Sequence, residues 1–144
     1  MSDSLFGHFA IDLKRFGEKA EANVERIFQK VALDLFRGVV MSTPVDTGRA
    51  RGNWQVTLGA PASGEVNVTG SALGVGAASV AHGAETVKRA KGDVSIFLTN
   101  NLPYIRALEY GHSKQAPNGM VRQNVARFPY LVDVAAHFES GGGT

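Results

Sequence analysis

A run of apolar residues at three- and four-residue steps dominates the first third of the chain. Leu13, Phe16, Ala20, Val24, Ile27, Val31 and Leu35 fall on one face of a helix, while Lys14, Glu18, Glu21, Glu25 and Lys30 fall on other faces. The pattern predicts one amphipathic helix from about Ile11 to Met41, roughly 45 Å long. Pro44 stops it, because proline pushes Thr43 out of the α region. Such a helix is longer than the core of a small domain needs, so one end is expected to project or to pack on a neighbouring chain. With 144 residues the chain has the size of one compact domain able to bury a core of its own.

After Gly52 the apolar period changes to two. Trp54, Val56 and Leu58 alternate with Gln55 and Thr57, and Val66 and Val68 alternate with Asn67 and Thr69. Two strands joined through Gly59 to Ser63 are the expected result. Residues 70–83 are Gly, Ala, Ser and Val without a period, which reads as a flexible loop ordered by neighbouring subunits, followed by a short helix over about Ala84 to Lys91. Asp93 to Asn100 is the clearest strand. Asn101 is a suitable N-cap for a helix from Leu102 to Tyr110, and Gly111 a suitable terminator. The stretch from His112 to Gly119 contains the turn signal Pro117-Asn118-Gly119. Pro129 starts a last helix that carries Phe128, Leu131, Ala135 and Phe138. The expected architecture is α+β: a long N-terminal helix packed on a small antiparallel sheet, with shorter C-terminal helices. Residues 1–140 are expected to form a single structural domain and residues 141–144 a disordered tail.

The chemistry-bearing residues form no catalytic pattern. There is no cysteine, hence no disulfide, thiolate nucleophile or Cys-ligated zinc. His8, His82, His112 and His137 lack the spacing of a metal site, so no metal or cofactor is expected. Gly74-Val75-Gly76 has neither the lysine nor the strand and helix context of a phosphate-cradling loop. Asp46 could act as a general base, but Pro44-Val45-Asp46-Thr47-Gly48 reads better as a turn whose aspartate accepts backbone N–H groups. Glu109 lies late in a helix, three residues after a ready partner, Arg106. An enzyme is therefore not expected. No apolar run approaches the roughly 20 residues that span a bilayer, and Met1-Ser2-Asp3-Ser4 does not open a secretory signal.

Charge narrows the partners. A formal net charge of +2 excludes a strongly basic nucleic-acid binder and permits a local patch. Lys114, Arg122 and Arg127 lie in an acid-free stretch, and Arg49 and Arg51 form a second acid-free pair. Tyr110, Phe128 and Tyr130 are interleaved and could stack on bases. Charged residues make up 19% of the chain, below the roughly 25% typical of soluble domains. Low charge suits a protein that hides surface in an assembly.

Two passages resemble a known family. The first is Thr43-Pro44-Val45-Asp46-Thr47-Gly48-Arg49 after the long helix, with Trp54 opening a strand. The second runs from Asn100-Asn101-Leu102-Pro103-Tyr104 through Leu108-Glu109-Tyr110-Gly111-His112-Ser113 to Ala116-Pro117 and Gly119-Met120-Val121. Together they are similar to the neck and tail-completion (minor tail protein Z-like) family of long-tailed bacteriophages. The resemblance skips the Gly-rich middle, from about Gly59 to Gly92. It implies a virion structural protein at the head–tail junction, assembled in the host cytoplasm and joining finished tails to DNA-filled heads. It also implies a homo-oligomeric ring, sixfold to match the tail, with double-stranded DNA passing through and other neck and tail proteins as partners. No catalytic residue is carried over. Pro44, Asp46, Thr47, Gly48, Tyr104, Glu109, Tyr110, Gly111 and Pro117 then serve turns and assembly, and Lys114, Arg122 and Arg127 face the DNA channel or the next subunit. A tail terminator or other minor tail component is the alternative within that class. A small nucleic-acid-binding protein is the alternative from another.

Overall fold

The structure, a computed structural model, describes residues 9–12, 24–44, 48–68, 72–91, 94–110 and 118–137. Within them the chain runs β1 (Phe9–Asp12), α1 (Val24–Ser42), α2 (Arg49–Gly52), β2 (Gln55–Leu58), α3 (Ala72–Lys88), β3 (Ile96–Asn100), α4 (Ile105–Glu109), α5 (Val121–Val125) and α6 (Phe128–His137). The fold is α+β. Its antiparallel sheet has the order β1-β3-β2, so the last strand in the chain is the middle one. Phe9 pairs with Asn100 and Ile11 with Leu98 on one side, and Gln55 with Thr99 and Val56 with Leu98 on the other.

The amphipathic stripe is the spine of the core. Ile27, Val31, Ala32, Leu35, Phe36, Val39 and Val40 of α1 are buried together with Trp54, Val56, Ile96 and Leu98 of the sheet region. Each Val, Leu, Ile or Phe among them contributes about 1.5–3 kcal/mol when fully removed from water. The predicted helix is too long at its start, because Ile11 and Asp12 belong to β1. An apolar Ile11 serves a strand as well as a helix, and pairing with β3 decides between them. Leu13, Phe16 and Ala20 lie outside the described residues. At the other end α1 stops before Pro44, as expected.

The predicted flexible loop is overturned over most of its length: residues 72–83 lie in α3, a helix that continues to Lys88. Alanine is the best helix former, and the small side chains have a packing use. A Cβ on Gly83 would come within 2.9 Å of a Phe36 ring carbon and 3.0 Å of a Val56 methyl. The notch lets α1 reach the sheet across α3. Gln29 Nε2 donates to the Ala90 carbonyl at 2.7 Å and ties the end of that helix back to α1.

Val66 and Val68 do not form the expected second strand, and no hairpin joins them to β2. Instead β2 pairs with β3, and the Asn53 amide holds Val66 by both backbone groups, accepting from its N–H at 2.7 Å and donating to its carbonyl at 3.2 Å. Asn101 is not an N-cap. Its amide donates to the carbonyls of Ala62 and Gly64, both at 3.0 Å, and α4 begins later, at Ile105. The C-terminal helix starts at Phe128, one residue before the Pro129 start expected, and buries Leu131 and Ala135 against α1.

Gly38 lies where α1 and α5 approach each other closely. A Cβ there would stand 2.8 Å from Asn124 Cγ and 3.2 Å from an Arg127 nitrogen. On an isolated helix Gly→Ala gains about 1 kcal/mol. Here the overpacking reverses the sign, and Gly38→Ala is expected to lose about 1–2 kcal/mol. A urea midpoint equal to or above that of the parent would contradict this packing.

Candidate functional site

The two motif passages fold into adjoining knots of buried polar groups. The first closes α1. A helix ends with carbonyls that no later turn can satisfy, and the last turn of α1 carries no basic residue. Arg51, buried on the short α2, supplies the donors: Nε to the Thr43 carbonyl at 3.0 Å and Nη2 to the Met41 carbonyl at 2.9 Å. The Thr43 hydroxyl donates to the Val39 carbonyl at 2.7 Å and accepts from Trp54 Nε1 at 2.9 Å. Gly48, at φ 74°, makes the reversal that brings Arg51 back to the helix end. Pro44 is buried beside this knot, whereas Val45, Asp46 and Thr47 lie outside the described residues. Arg51 is thus a capping residue and not half of an exposed basic pair.

The second knot joins α4 to α5. Glu109 is completely buried. Its Oε1 accepts from the Met120 and Val121 N–H groups, both at 2.8 Å, and its Oε2 from the Arg122 N–H at 2.9 Å. These are the free donors of the first turn of α5, which has no local side-chain cap. A carboxylate from another helix does the work of an N-cap. Arg122 closes the ring of contacts, with Nε 3.2 Å from Oε2 and Nη2 donating to the Glu109 carbonyl. Gly119, at φ 80°, fits because a Cβ would stand 2.5 Å from the Glu109 carbonyl oxygen and 2.7 Å from Oε2. The turn expected at Pro117-Asn118-Gly119 therefore has a second cause, close approach to a buried acid.

This geometry corrects the pairing read from the sequence. Glu109 bonds to Arg122 and not to Arg106. Arg106 instead lies over the Tyr110 ring at 5.3 Å, and Arg122 lies over the same ring at 4.9 Å. Tyr110 is half exposed, so the pair of guanidinium groups and the ring present a cationic, aromatic surface. Arg127 also has an internal partner, the Asn124 side-chain oxygen at 2.9 Å. Arg122 and Arg127 are therefore not interchangeable surface charges: exchanging Arg122 for Gln disturbs the knot, and folding is not indifferent to it. Gly111, Lys114 and Pro117 lie outside the described residues, as do His8 and His112.

The knots touch each other. Asn100 Nδ2 donates to the Ala50 carbonyl at 3.0 Å while its oxygen accepts from the Leu102 N–H at 3.1 Å. Arg49 lies over the Tyr104 ring at 6.0 Å and pairs with Glu65 at 2.7 Å. Passages about fifty residues apart thus meet at one corner of the molecule. Sequence reasoning missed Asn53 and Asn124 altogether and gave Asn100 no bonding role. Asparagines inside or next to apolar runs were the available signal: Asn53 and Asn100 each bridge two stretches of backbone, and Asn124 bonds the Met120 carbonyl and the Ser42 and Arg127 side chains.

Chemically the corner binds its own chain. Every oxygen of Glu109 already accepts at least one hydrogen bond, so this carboxylate is not available as a base. Among the described residues no group of His, Asp or Glu could hold a metal ion. No family model matches the chain, and neither a curated protein nor a solved structure matches it.

Proposed function

We propose that this chain is a structural protein of a tailed-phage virion, placed at the head–tail junction, where it completes the tail and joins it to the DNA-filled head. The observation that carries the reading is the meeting of the two motif passages. The Asn100–Ala50 hydrogen bond and the Arg49–Tyr104 contact join the two passages, and the polar groups of both knots hold backbone rather than line a reaction site. A scaffold whose polar groups fix loops serves assembly, not turnover. A sixfold ring around the DNA follows from the same resemblance, and a charge content of 19% suits subunits that cover one another.

The test is a phage strain lacking the gene. It accumulates full heads and separate tails, and the wild-type chain supplied in trans restores joined virions. Joined, infectious particles in its absence would refute the junction role. The rival reading, a small nucleic-acid-binding protein, is favoured by Tyr110 between Arg106 and Arg122. It requires DNA affinity that falls steeply with salt and weakens on Arg106→Gln, with normal virions in the deletion strain.

A further inference from the structure

Among the described residues the outer edge of β2 faces a cleft and pairs with no further strand. The Gly59 N–H donates to the Ser95 carbonyl at 2.8 Å and continues the β2–β3 ladder. In an antiparallel pair, hydrogen-bonded and non-hydrogen-bonded residues alternate. Thr57 and Gln55 are then the residues bonded to Phe97 and Thr99, and Val56 and Leu58 aim their N–H and C=O groups away from β3. Among the described residues nothing pairs with those outward groups.

The cleft beyond them, about 740 Å³, is walled by β2, by residues 66–68 and by α3. Val66 cannot close it, because the Asn53 amide already grips both of its backbone groups. Val56, Val68, Val75 and Ala78 make the walls apolar, and Gln55 and Asn67 add neutral polar groups. No Asp, Glu, Lys or Arg lines the cleft, and His82 is the ionisable side chain in its wall.

We infer that this cleft is a strand-acceptor site, which binds an extended, uncharged segment of a partner polypeptide alongside β2. Outward backbone groups at every second residue select an extended chain, since a strand repeats its donors and acceptors at that spacing. Apart from His82 the walls carry no ionisable side chain, which selects against Lys, Arg, Asp and Glu, whose burial there would leave a charge without a partner. Apolar side chains at alternate positions of the incoming segment fill the space between Val56 and α3. The inference rests on the sheet edge alone and stands apart from the virion reading.

The full chain is titrated with the capped peptide acetyl-Thr-Val-Thr-Val-Thr-amide at millimolar concentration. Two signals report: hydrogen exchange of the Val56 and Leu58 amides, and emission of Trp54, the single tryptophan, which lines the cleft. Exchange at both amides slows at least roughly tenfold on saturation, since each gains an acceptor. The same peptide N-methylated at both valines gives no protection, and one with glutamate in place of valine does not bind. Ala78→Glu, a change at an exposed helix position, weakens binding at least about tenfold by placing a charge in the wall. Absent protection, equal protection by the N-methylated peptide, or unchanged binding to Ala78→Glu overturns the inference. So does protection that rises with protein concentration without peptide, which would make a second copy the occupant.

Discussion

Replacing Glu109 by alanine lowers the unfolding free energy by about 3–5 kcal/mol, the largest single-site loss expected in this chain. The side chain is completely buried and serves three backbone N–H groups and one guanidinium. Alanine removes every acceptor at once and leaves the first turn of α5 with donors that water reaches poorly. Glu109→Gln keeps one oxygen but turns an amide N–H₂ toward the donors, so it recovers only part of the loss. Arg122→Gln costs much less, about 1 kcal/mol, because its side chain is half exposed and the carboxylate keeps its three backbone donors. Urea unfolding of the three variants tests the order Ala worst, Gln at 109 next, Gln at 122 mildest. Equal stability of Glu109→Ala and the parent would show that the knot holds nothing.

Gly83→Leu is expected to be nearly as damaging, at or beyond the upper end of the about 1–3 kcal/mol that overpacking costs. Even a methyl group at this position meets Phe36, which is fully buried, and Val56 in β2. A leucine has nowhere to turn without parting α1 from the sheet. Gly83→Ala is the finer probe. Its helix-propensity gain of about 1 kcal/mol is outweighed by contact with the Phe36 ring. Combining it with Phe36→Leu makes room, so the double variant is more stable than the sum of the two losses predicts. Additive losses in that cycle would place the two residues out of contact.

These two positions also show what a sequence can and cannot convey. The spine of α1 was readable because Ile27, Val31 and Leu35 repeat with the helix, and burial follows the repeat. Strands β2 and β3 were readable from their alternation. The identity of α3 was hidden, because its packing surface is written in absent side chains. Gly83 is buried where a larger residue would not fit, and a hydrophobicity pattern does not register smallness. Glu109 was visible as a notable acid, yet its partners lie beyond a turn, at Met120, Val121 and Arg122. The three-residue rule for helices pointed to Arg106, since it can see only neighbours on one helix. The β2-edge cleft depends on Val66 being held by Asn53, a contact no local pattern encodes.

The order β1-β3-β2 sets a timetable for the chain on the ribosome. The central strand is made last, so neither outer strand has its partner until Ile96 to Asn100 has been synthesised. At roughly 5–20 residues per second the N-terminal strand waits for seconds with nothing to pair with. Both helices that flank the core, α1 and α3, are complete before then and can collapse on one another through Phe36 and Gly83. Arrival of β3 then zips two edges at once, joining Phe9 to Asn100 across most of the chain. Long-range closure of this kind is the slow, entropy-limited part of folding. Until it happens, β1 and β2 are open templates that a neighbouring nascent chain can capture.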